Sequence, residues 1–367
     1  MISIDGSFLE GGGQVVRTAL ALSSLTQIPV EIHSVRAQRN PPGLKHQHLH
    51  CIYALQKLCA AKAKGAELQS ESVEYSPSSI DGGTISIDIQ TSGSIALVLQ
   101  AVLLPALFAS KKVRLQIKGG TCGLGAMPIE FFIHIIEPQL RRFVNSIETK
   151  ILKRGYYPKG GGQVEIQIAP KLARKDFETL DSFFEELKNQ VEPIDLSKRS
   201  HLIQIKGISY ASADLESGAV AERQAKAAKH LLSKYNVPVH IAHEYQDTLS
   251  TGSGIVVWAI FSHDKEEINS QKPIILGADA LGERGAQAEQ VGAQAAQKLA
   301  KLLDSPATVD THTQDTIIPF LGLVGGSLRV EEMTLHTQTN IWVTEQFLGK
   351  RFSVANGTID AKPPQSL

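Results

Sequence analysis

Helical and strand patterns alternate along this chain, and a glycine-rich turn followed by a helix and a strand recurs near residues 11–35, 91–118 and 282–310. Residues 84–89 show the strand pattern most clearly, since isoleucine occupies every second position and one face of such a strand is buried. The recurrence predicts an α+β fold whose large domain holds three repeated helix–sheet units of the βαβαβ type.

The repeat pattern is interrupted between about residues 171 and 271, where the glycine-rich turns stop. An acidic helix near 176–189, a strand from 201, a helix near 216–235 and two further strands occupy this stretch instead. A chain of 367 residues has room for two domains. We therefore expect a discontinuous large catalytic domain at 1–178 and 276–350, an inserted small α/β domain at 179–275 and a C-terminal tail at 351–367.

Positive and negative charges balance over the whole chain, with 37 basic and 37 acidic side chains, but their distribution is uneven. Residues 32–66 contain six Lys or Arg and no acid, whereas residues 176–195 contain seven acids and one lysine. A protein that coats nucleic-acid duplexes should have a basic excess. The balance therefore argues against that class, although it conceals one basic and one acidic region.

No run of about 18 apolar residues occurs in the chain, and the N-terminal residues lack a basic segment followed by an apolar one. Its three cysteines form no C-x-x-C pair. We therefore expect a cytoplasmic protein without a membrane partner, and the sequence leaves its oligomeric state open.

Two segments near the N-terminus predict a site for an anion. Three glycines follow Glu10 and precede Gln14 and Arg17, so the backbone can approach an anion at the positive end of a helix. Arg36 and Arg39 adjoin a Pro-Pro-Gly turn and offer guanidinium donors that suit phosphate. The alternatives are a flexible glycine turn for the first segment and a solvated loop for the second, although such a loop would usually carry acids.

The segment Gly155–Gly162 contains a second glycine triplet, next to two tyrosines and a lysine. It leads into a strand and lacks Gly-Lys-Ser/Thr, so it is not a Walker A loop, and no G-x-G-x-x-G follows a strand. Near the C-terminus, His312 and His336 lie in polar clusters between apolar runs. The residue type alone does not assign either histidine a role.

These motifs, taken together and in order along the chain, resemble those of the RNA 3′-terminal phosphate cyclase family. The matching segments are Asp5–Arg17, Arg36–His48, Gly93-Ser94, Gly119–Thr121, Arg154–Gly162 and His336–Asn340. The resemblance implies an ATP-dependent enzyme that converts an RNA 3′-terminal phosphate into a 2′,3′-cyclic phosphodiester through a covalent histidine–AMP intermediate. It also implies three repeated helix–sheet units with an inserted smaller domain.

The resemblance further implies roles for individual residues. His336 matches the nucleophile that attacks the α-phosphate of ATP, and a neutral imidazole is competent for that attack near pH 7. Arg17, Arg36 and Arg39 match catalytic positions, where they would stabilise charge on phosphorus. The residues that match the ATP-binding pocket are Glu10, Gln14, Gln47, Gln100, Pro128 near the adenine, His312 and Asp315. Glu10 is also the expected ligand of Mg²⁺ or Mn²⁺.

Three positions depart from the family pattern, and each is expected to lower activity or to alter the preference for nucleotide or metal. Cys122 replaces a common Asp, Thr316 replaces a common Gln, and Leu9 stands where a small residue is usual. Two other functions stay open: a non-catalytic scaffold of the same fold in RNA processing or ribosome biogenesis, and a small-molecule transferase of related architecture. The presence of His336 favours the enzyme, since the non-catalytic branch lacks that histidine. The preference for ATP over GTP and the physiological RNA are not determined by the sequence.

Overall fold

The computed structural model describes residues 1–263 and 273–364 and contains four four-stranded sheets in that part of the chain. The strands are β1 (Ile2–Asp5), β2 (Val30–His33), β3 (Lys62–Lys64), β4 (Val73–Ser76), β5 (Gly83–Asp88), β6 (Val113–Gly119), β7 (Val144–Lys153), β8 (Gly162–Pro170), β9 (Ile194–Leu196), β10 (His201–Ser212), β11 (Val239–Gln246), β12 (Ser253–Ser262), β13 (Ile274–Leu281), β14 (Gly326–Arg329), β15 (Phe352–Ala355) and β16 (Thr358–Ala361). The α-helices are α1 (Gly13–Thr26), α2 (His46–Cys59), α3 (Ile95–Ala106), α4 (Ile129–Phe131), α5 (Glu137–Leu140), α6 (Leu180–Gln190), α7 (Val220–Leu232), α8 (Ala288–Asp304), α9 (Thr311–Val324) and α10 (Leu335–Leu348).

Three of the four sheets share one topology. Their strand orders are β1-β2-β4-β3, β5-β6-β8-β7 and β9-β14-β16-β15. In each, the first two strands of the unit pair in parallel and the remaining pairs are antiparallel. Because a parallel pair needs a crossover connection, a helix lies between the first two strands of each unit. The predicted α+β class is confirmed, and three units of like topology are present.

The third unit does not lie where the glycine-rich turn near 282–310 predicted it. That segment forms α8, which packs with α7 against the fourth sheet. The third unit begins at β9 and resumes at α9, since Ile194 pairs in parallel with Gly326. A three-residue strand whose partner is so distant in sequence has no local periodicity that could reveal it.

The fourth sheet has a different order, β11-β10-β12-β13, and lies in the chain between β9 and α9. The boundaries predicted at 179 and 275 do not coincide with it. Helix α6 precedes it and packs on the second unit, where the rings of Phe183 and Phe108 lie 5.3 Å apart, and β13 pairs with β12 as far as Leu281. The acidic stretch therefore belongs mainly to α6 and not to the fourth sheet. The division into two domains stays a prediction.

The segment predicted as a C-terminal tail contributes two strands to the third sheet. β15 and β16 pair with each other, and β16 pairs with β14 from Thr358 to Ala361. Strand β16 thus covers the edge of β14 that does not pair with β9, and β15 forms the outer edge of the sheet. Residues 365–367 of the predicted tail lie outside the described residues.

Helices α1 and α3 pack against each other and are almost entirely buried. In α1 every side chain from Gln14 to Thr26 is buried, polar ones included, and α3 is almost entirely apolar. The helical segment over residues 129–143, by contrast, is broken into α4, a π-helical turn over Phe132–Ile136, α5 and a 3₁₀ turn. Pro138 explains the break, because proline lacks an N–H and its ring crowds the carbonyl four residues earlier.

Over the residues that the structure describes, no helix is both long and apolar enough to cross a membrane.

Candidate active site

Four helices begin around one cleft of about 700 Å³. Gly12, Gly13 and Gln14 come from the start of α1, and Lys45, Gln47 and His48 from the start of α2. Thr311 and His312 open α9, and His336 is the second residue of α10. The first N–H groups of a helix lack internal partners and carry its positive dipole end, so the cleft suits a highly charged anion.

Ten of the eleven residues predicted for the site line this one cleft. They are Glu10, Gln14, Arg17, Arg36, Arg39, Gln47, Gln100, His312, Asp315 and His336. The eleventh, Pro128, is the residue before α4, and its neighbours Ala126 and Met127 line the cleft in its place. The structure thus brings together residues that are more than 300 positions apart, while their individual roles stay predictions.

Arg17 is held by two glutamine side chains at the floor of the cleft. Its Nη2 donates to Gln14 Oε1 at 2.7 Å and its Nε donates to Gln100 Oε1 at 2.9 Å. Gln14 in turn donates to Asn340 Oδ1 at 3.0 Å, on α10. Burial lowers the pKa of the Arg17 guanidinium, opposed by the charge of Glu10. The arginine is fixed by neutral partners, so its positive charge is left for a ligand.

Arg36 and Arg39 also line the cleft and differ in their surroundings. Arg36 is buried, and its Nη1 donates to the carbonyl oxygens of Pro41 at 3.1 Å and Gly43 at 2.8 Å. Burial lowers the pKa of Arg36, and the nearby Arg39 lowers it further. Arg39 is half exposed and donates to Glu10 Oε1 at 2.5 Å. Both guanidinium groups donate hydrogen bonds to protein oxygen atoms, so they are positioned before a ligand binds.

His336 approaches the same carboxylate from the other side. Its Nε2 lies 3.0 Å from Glu10 Oε2, with side chains 43% and 15% exposed respectively. The contact lacks hydrogen-bond geometry, since Glu10 Oε2 is buried and has no hydrogen-bond partner. The imidazole is therefore accessible and has no hydrogen bond to this carboxylate, which is compatible with the predicted role of a nucleophile.

His312 is held more firmly than His336. Its Nε2 lies 3.0 Å from Asp279 Oδ1 on β13, at hydrogen-bond distance, and its ring meets the edge of Phe131 with centroids 4.9 Å apart. Burial alone would lower the pKa of His312, but the hydrogen bond and charge of Asp279, helped by Asp310 and Asp315, raise it overall. His312 thus forms a fixed wall of the cleft.

Asp315 connects the two C-terminal helices. Its Oδ1 accepts hydrogen bonds from the hydroxyl groups of Thr334 and Thr337, each at 2.6 Å, and its carbonyl oxygen accepts from Asn340 Nδ2 at 2.6 Å. Burial raises the pKa of Asp315, against the effect of these hydroxyls and of both histidines. The network fixes the first turn of α10, on which His336 sits.

His48 was part of a matching motif but had no predicted role, and the structure places it in the cleft wall. Its Nδ1 accepts from the Lys45 backbone N–H at 3.0 Å. Burial and the charges of Arg17, Arg36 and Lys45 lower the pKa of His48 to about 3, so it is neutral. A Cβ on Gly13 would lie 2.2 Å from His48 Nε2, which explains why glycine occupies that position.

Asp279 was not predicted from the sequence as a residue of the site, and it lies in none of the motifs. It lies on β13, in the fourth sheet, and contacts His312 only through the tertiary fold.

One acidic group of the cleft, Glu10, could serve as a metal ligand. Within residues 1–263 and 273–364 no three His, Cys, Asp or Glu side chains converge on one point. Glu10 Oε2 is nevertheless buried without a hydrogen-bond partner, and such an atom can serve as a metal ligand. Mg²⁺ is commonly held by one or two carboxylates together with substrate phosphates, so Glu10 suits the predicted Mg²⁺ or Mn²⁺.

The three departures from the family pattern lie outside the centre of the cleft. Burial raises the pKa of the Cys122 thiol to about 12, and Cys122 lines a neighbouring cavity. Thr316 is buried on α9, with a hydroxyl that has no hydrogen-bond partner. Leu9 is exposed, with a left-handed φ of 52°. Their effect on activity stays a prediction.

Comparison with known proteins gives one consistent result. The family described as RNA 3′-terminal phosphate cyclase matches residues 8–354. The chain is 44% identical to the RNA 3′-terminal phosphate cyclase of Pyrococcus furiosus over 97% of this chain and 96% of the relative. It is 42% identical to the protein of the same name from Thermococcus onnurineus over 96% and 95%, and 39% identical to that from Archaeoglobus fulgidus over 95% and 96%.

Proposed function

The chain belongs to the RNA 3′-terminal phosphate cyclase family, and we propose that it uses ATP to convert RNA 3′-terminal phosphates into 2′,3′-cyclic phosphodiesters through a histidine–AMP intermediate on His336. The observation that carries the proposal is the position of His336. It lies at the start of α10, 3.0 Å from Glu10, in a cleft that Arg17, Arg36 and Arg39 also line.

The first step is attack by the neutral imidazole of His336 on the α-phosphorus of ATP, with pyrophosphate as the leaving group. Negative charge builds on the phosphoryl oxygens during this attack. Arg17 and the N–H groups at the start of α1 stabilise that charge, because they are oriented before the substrate binds. The metal held by Glu10 would neutralise phosphate charge and orient the leaving group.

In the second step an oxygen of the RNA 3′-phosphate attacks the phosphorus of the adenylated histidine, and the neutral imidazole leaves. In the third the adjacent 2′-hydroxyl attacks the 3′-phosphorus, so that the cyclic phosphodiester forms and AMP leaves. Arg36 and Arg39 would hold the RNA phosphate, since both line the same cleft as Arg17 and His336. Guanidinium groups bind phosphate through paired N–H donors, which fixes its orientation.

ATP labelled at the α- or at the γ-phosphate tests the proposal. With Mg²⁺ present, the α-label should remain on the protein through an acid-labile bond and the γ-label should not. An RNA with a 3′-phosphate should then become resistant to phosphomonoesterase. Absence of an α-labelled adduct would contradict the proposed intermediate, and a scaffold or a small-molecule transferase would behave in that way.

A further inference from the structure

A second cavity of about 680 Å³ opens beside the active cleft, and we name it the upstream cavity. The two cavities share Gln47, Leu97 and Ala126 in their walls. Of the residues predicted to hold ATP, the metal or the reacting phosphate, Gln47 alone also lines the upstream cavity. A second ligand, or a longer part of one substrate, can therefore lie there while the nucleotide occupies the cleft.

An exposed tyrosine stands at the mouth of the upstream cavity. Tyr157 lies in the turn between β7 and β8 and is 78% exposed, so core packing does not account for it. The turn itself is fixed, because the Gly160 N–H donates to the Tyr156 carbonyl at 2.8 Å and the Lys159 N–H donates to Ser250 Oγ at 3.1 Å. An aromatic ring on a fixed turn can stack on a base with little further loss of conformational freedom.

The lining of this cavity differs from that of the cleft. Its charged side chains are Glu283 and Arg284, and Leu124 adds an apolar rim that is 83% exposed. A compact, highly charged ligand would require several converging cations, as in the cleft. An arginine, an exposed aromatic ring and apolar surface in the lining of one cavity instead fit one unit of single-stranded nucleic acid, with its base stacked and its phosphate paired.

We propose that the upstream cavity holds the nucleotide next to the 3′ end of a single-stranded RNA, with its base on Tyr157 and its phosphate at Arg284. The inference rests on the proposed function, because it takes the terminal phosphate to lie among the arginines of the adjoining cleft. It gives a role to the Tyr-Tyr-Pro-Lys-Gly-Gly-Gly segment, which the chemistry of the cleft leaves unused.

The test uses the full-length variants Tyr157→Ala, Tyr157→Phe and Arg284→Ala. Tyr53→Ala and Arg223→Ala are matched controls, since both residues are half exposed and neither lines a cavity described above. Each protein is assayed with a single-stranded ten-nucleotide RNA bearing a 3′-phosphate and with a nucleoside 3′-phosphate. Formation of protein–AMP from labelled ATP is measured alongside, and binding of the ten-nucleotide RNA is followed without ATP by fluorescence anisotropy.

Tyr157→Ala should raise the KM for the ten-nucleotide RNA roughly 5- to 150-fold, the equivalent of one stacked base. Tyr157→Phe should behave as the wild type, because it retains the ring. Arg284→Ala should weaken RNA binding and reduce its salt slope by about 0.7, the value for one phosphate contact on a single strand. Protein–AMP formation and turnover of the nucleoside 3′-phosphate should not change in any of these variants.

An unchanged KM for the ten-nucleotide RNA in Tyr157→Ala, with normal protein–AMP formation, would overturn the inference. An equal rise of this KM in the control Tyr53→Ala would also overturn it. If the wild type forms no protein–AMP, the proposed function fails, and anisotropy then decides this inference separately. If Tyr157→Ala binds the RNA more weakly than the wild type and Tyr53→Ala does not, the proposal for the upstream cavity is supported. If Tyr157→Ala binds as tightly as the wild type, the proposal is rejected.

Discussion

His312 and His336 occupy equivalent places in the molecule, and their surroundings nevertheless differ. Each is the second residue of a helix that begins at the cleft, and each has a carboxylate oxygen 3.0 Å from Nε2. His312 is hydrogen-bonded to Asp279 and packed against Phe131, whereas His336 is half exposed and its contact with Glu10 lacks hydrogen-bond geometry. The two side chains are similarly exposed, 34% for His312 and 43% for His336, so the difference lies in how firmly each ring is held. The more weakly held ring suits the proposed nucleophile.

Among substitutions that test this comparison, replacement of His336 should have the largest effect. His336→Asn should reduce protein–AMP formation at least about 10³-fold, because it removes the atom that forms the covalent bond. Single-turnover incorporation of α-labelled ATP measures the loss, and thermal unfolding checks that the variant is folded. Residual labelling within a factor of ten of the wild type would assign the nucleophile elsewhere.

The carboxylate beside His336 should have a smaller but specific effect. Glu10→Gln keeps the size of the side chain and removes a charged oxygen that could bind metal, so the Mg²⁺ concentration for half-maximal adenylylation should rise at least about tenfold. Titration of the initial rate with Mg²⁺ and with Mn²⁺ measures this shift. An unchanged metal requirement would show that Glu10 only positions Arg39 and His336.

The same substitution at the anchored histidine should be much milder. His312→Asn loses the contact with Asp279 and the ring that lines the cleft, but it leaves the proposed nucleophile in place. We expect adenylylation to fall by about tenfold or less, mainly through a higher KM for ATP. A loss as large as that of His336→Asn would remove the distinction between the two residues.

The smallest expected effect is on the pH dependence of stability. The pKa of His312 is raised in the folded protein, so the protonated form is stabilised by folding. This contribution is fully present below about pH 6.5, the ordinary value, and is lost as pH rises through the raised pKa. Asp279→Asn should therefore lower Tm by about 1–3 °C at pH 6 and by less above neutral pH. Equal shifts at both pH values would contradict the assignment.

Much of the fold follows from local patterns in the sequence. Helices α1 and α3 lie in the segments near 11–35 and 91–118, where a glycine-rich turn followed by a helix is predicted, because glycine turns and apolar periodicity are local signals. The short strand β9 and its distant partner β14 could not be found in this way, since their pairing is set by tertiary contacts. The same limit explains why the predicted third repeat fell on α8.

The site shows the same division between local and tertiary information. Glu10, Arg36 and His336 could be predicted because each lies in a motif, and the structure brings all three to one cleft. The motif match predicts different roles for His336 and His312, but it did not reveal how differently the two rings are held. That difference depends on Asp279, which a separate sheet supplies, and on the missing hydrogen bond at Glu10 Oε2.

The central claim is that His336 carries AMP and His312 does not, and mapping of the modified residue tests it most directly. The protein is incubated with ATP and Mg²⁺, digested under non-acidic conditions, and its peptides are analysed by mass spectrometry with fragmentation. We predict adenylate on His336 and none on the peptide that contains His312. Adenylate on His312, or on any residue in a protein whose His336 is unmodified, would contradict this account of the site.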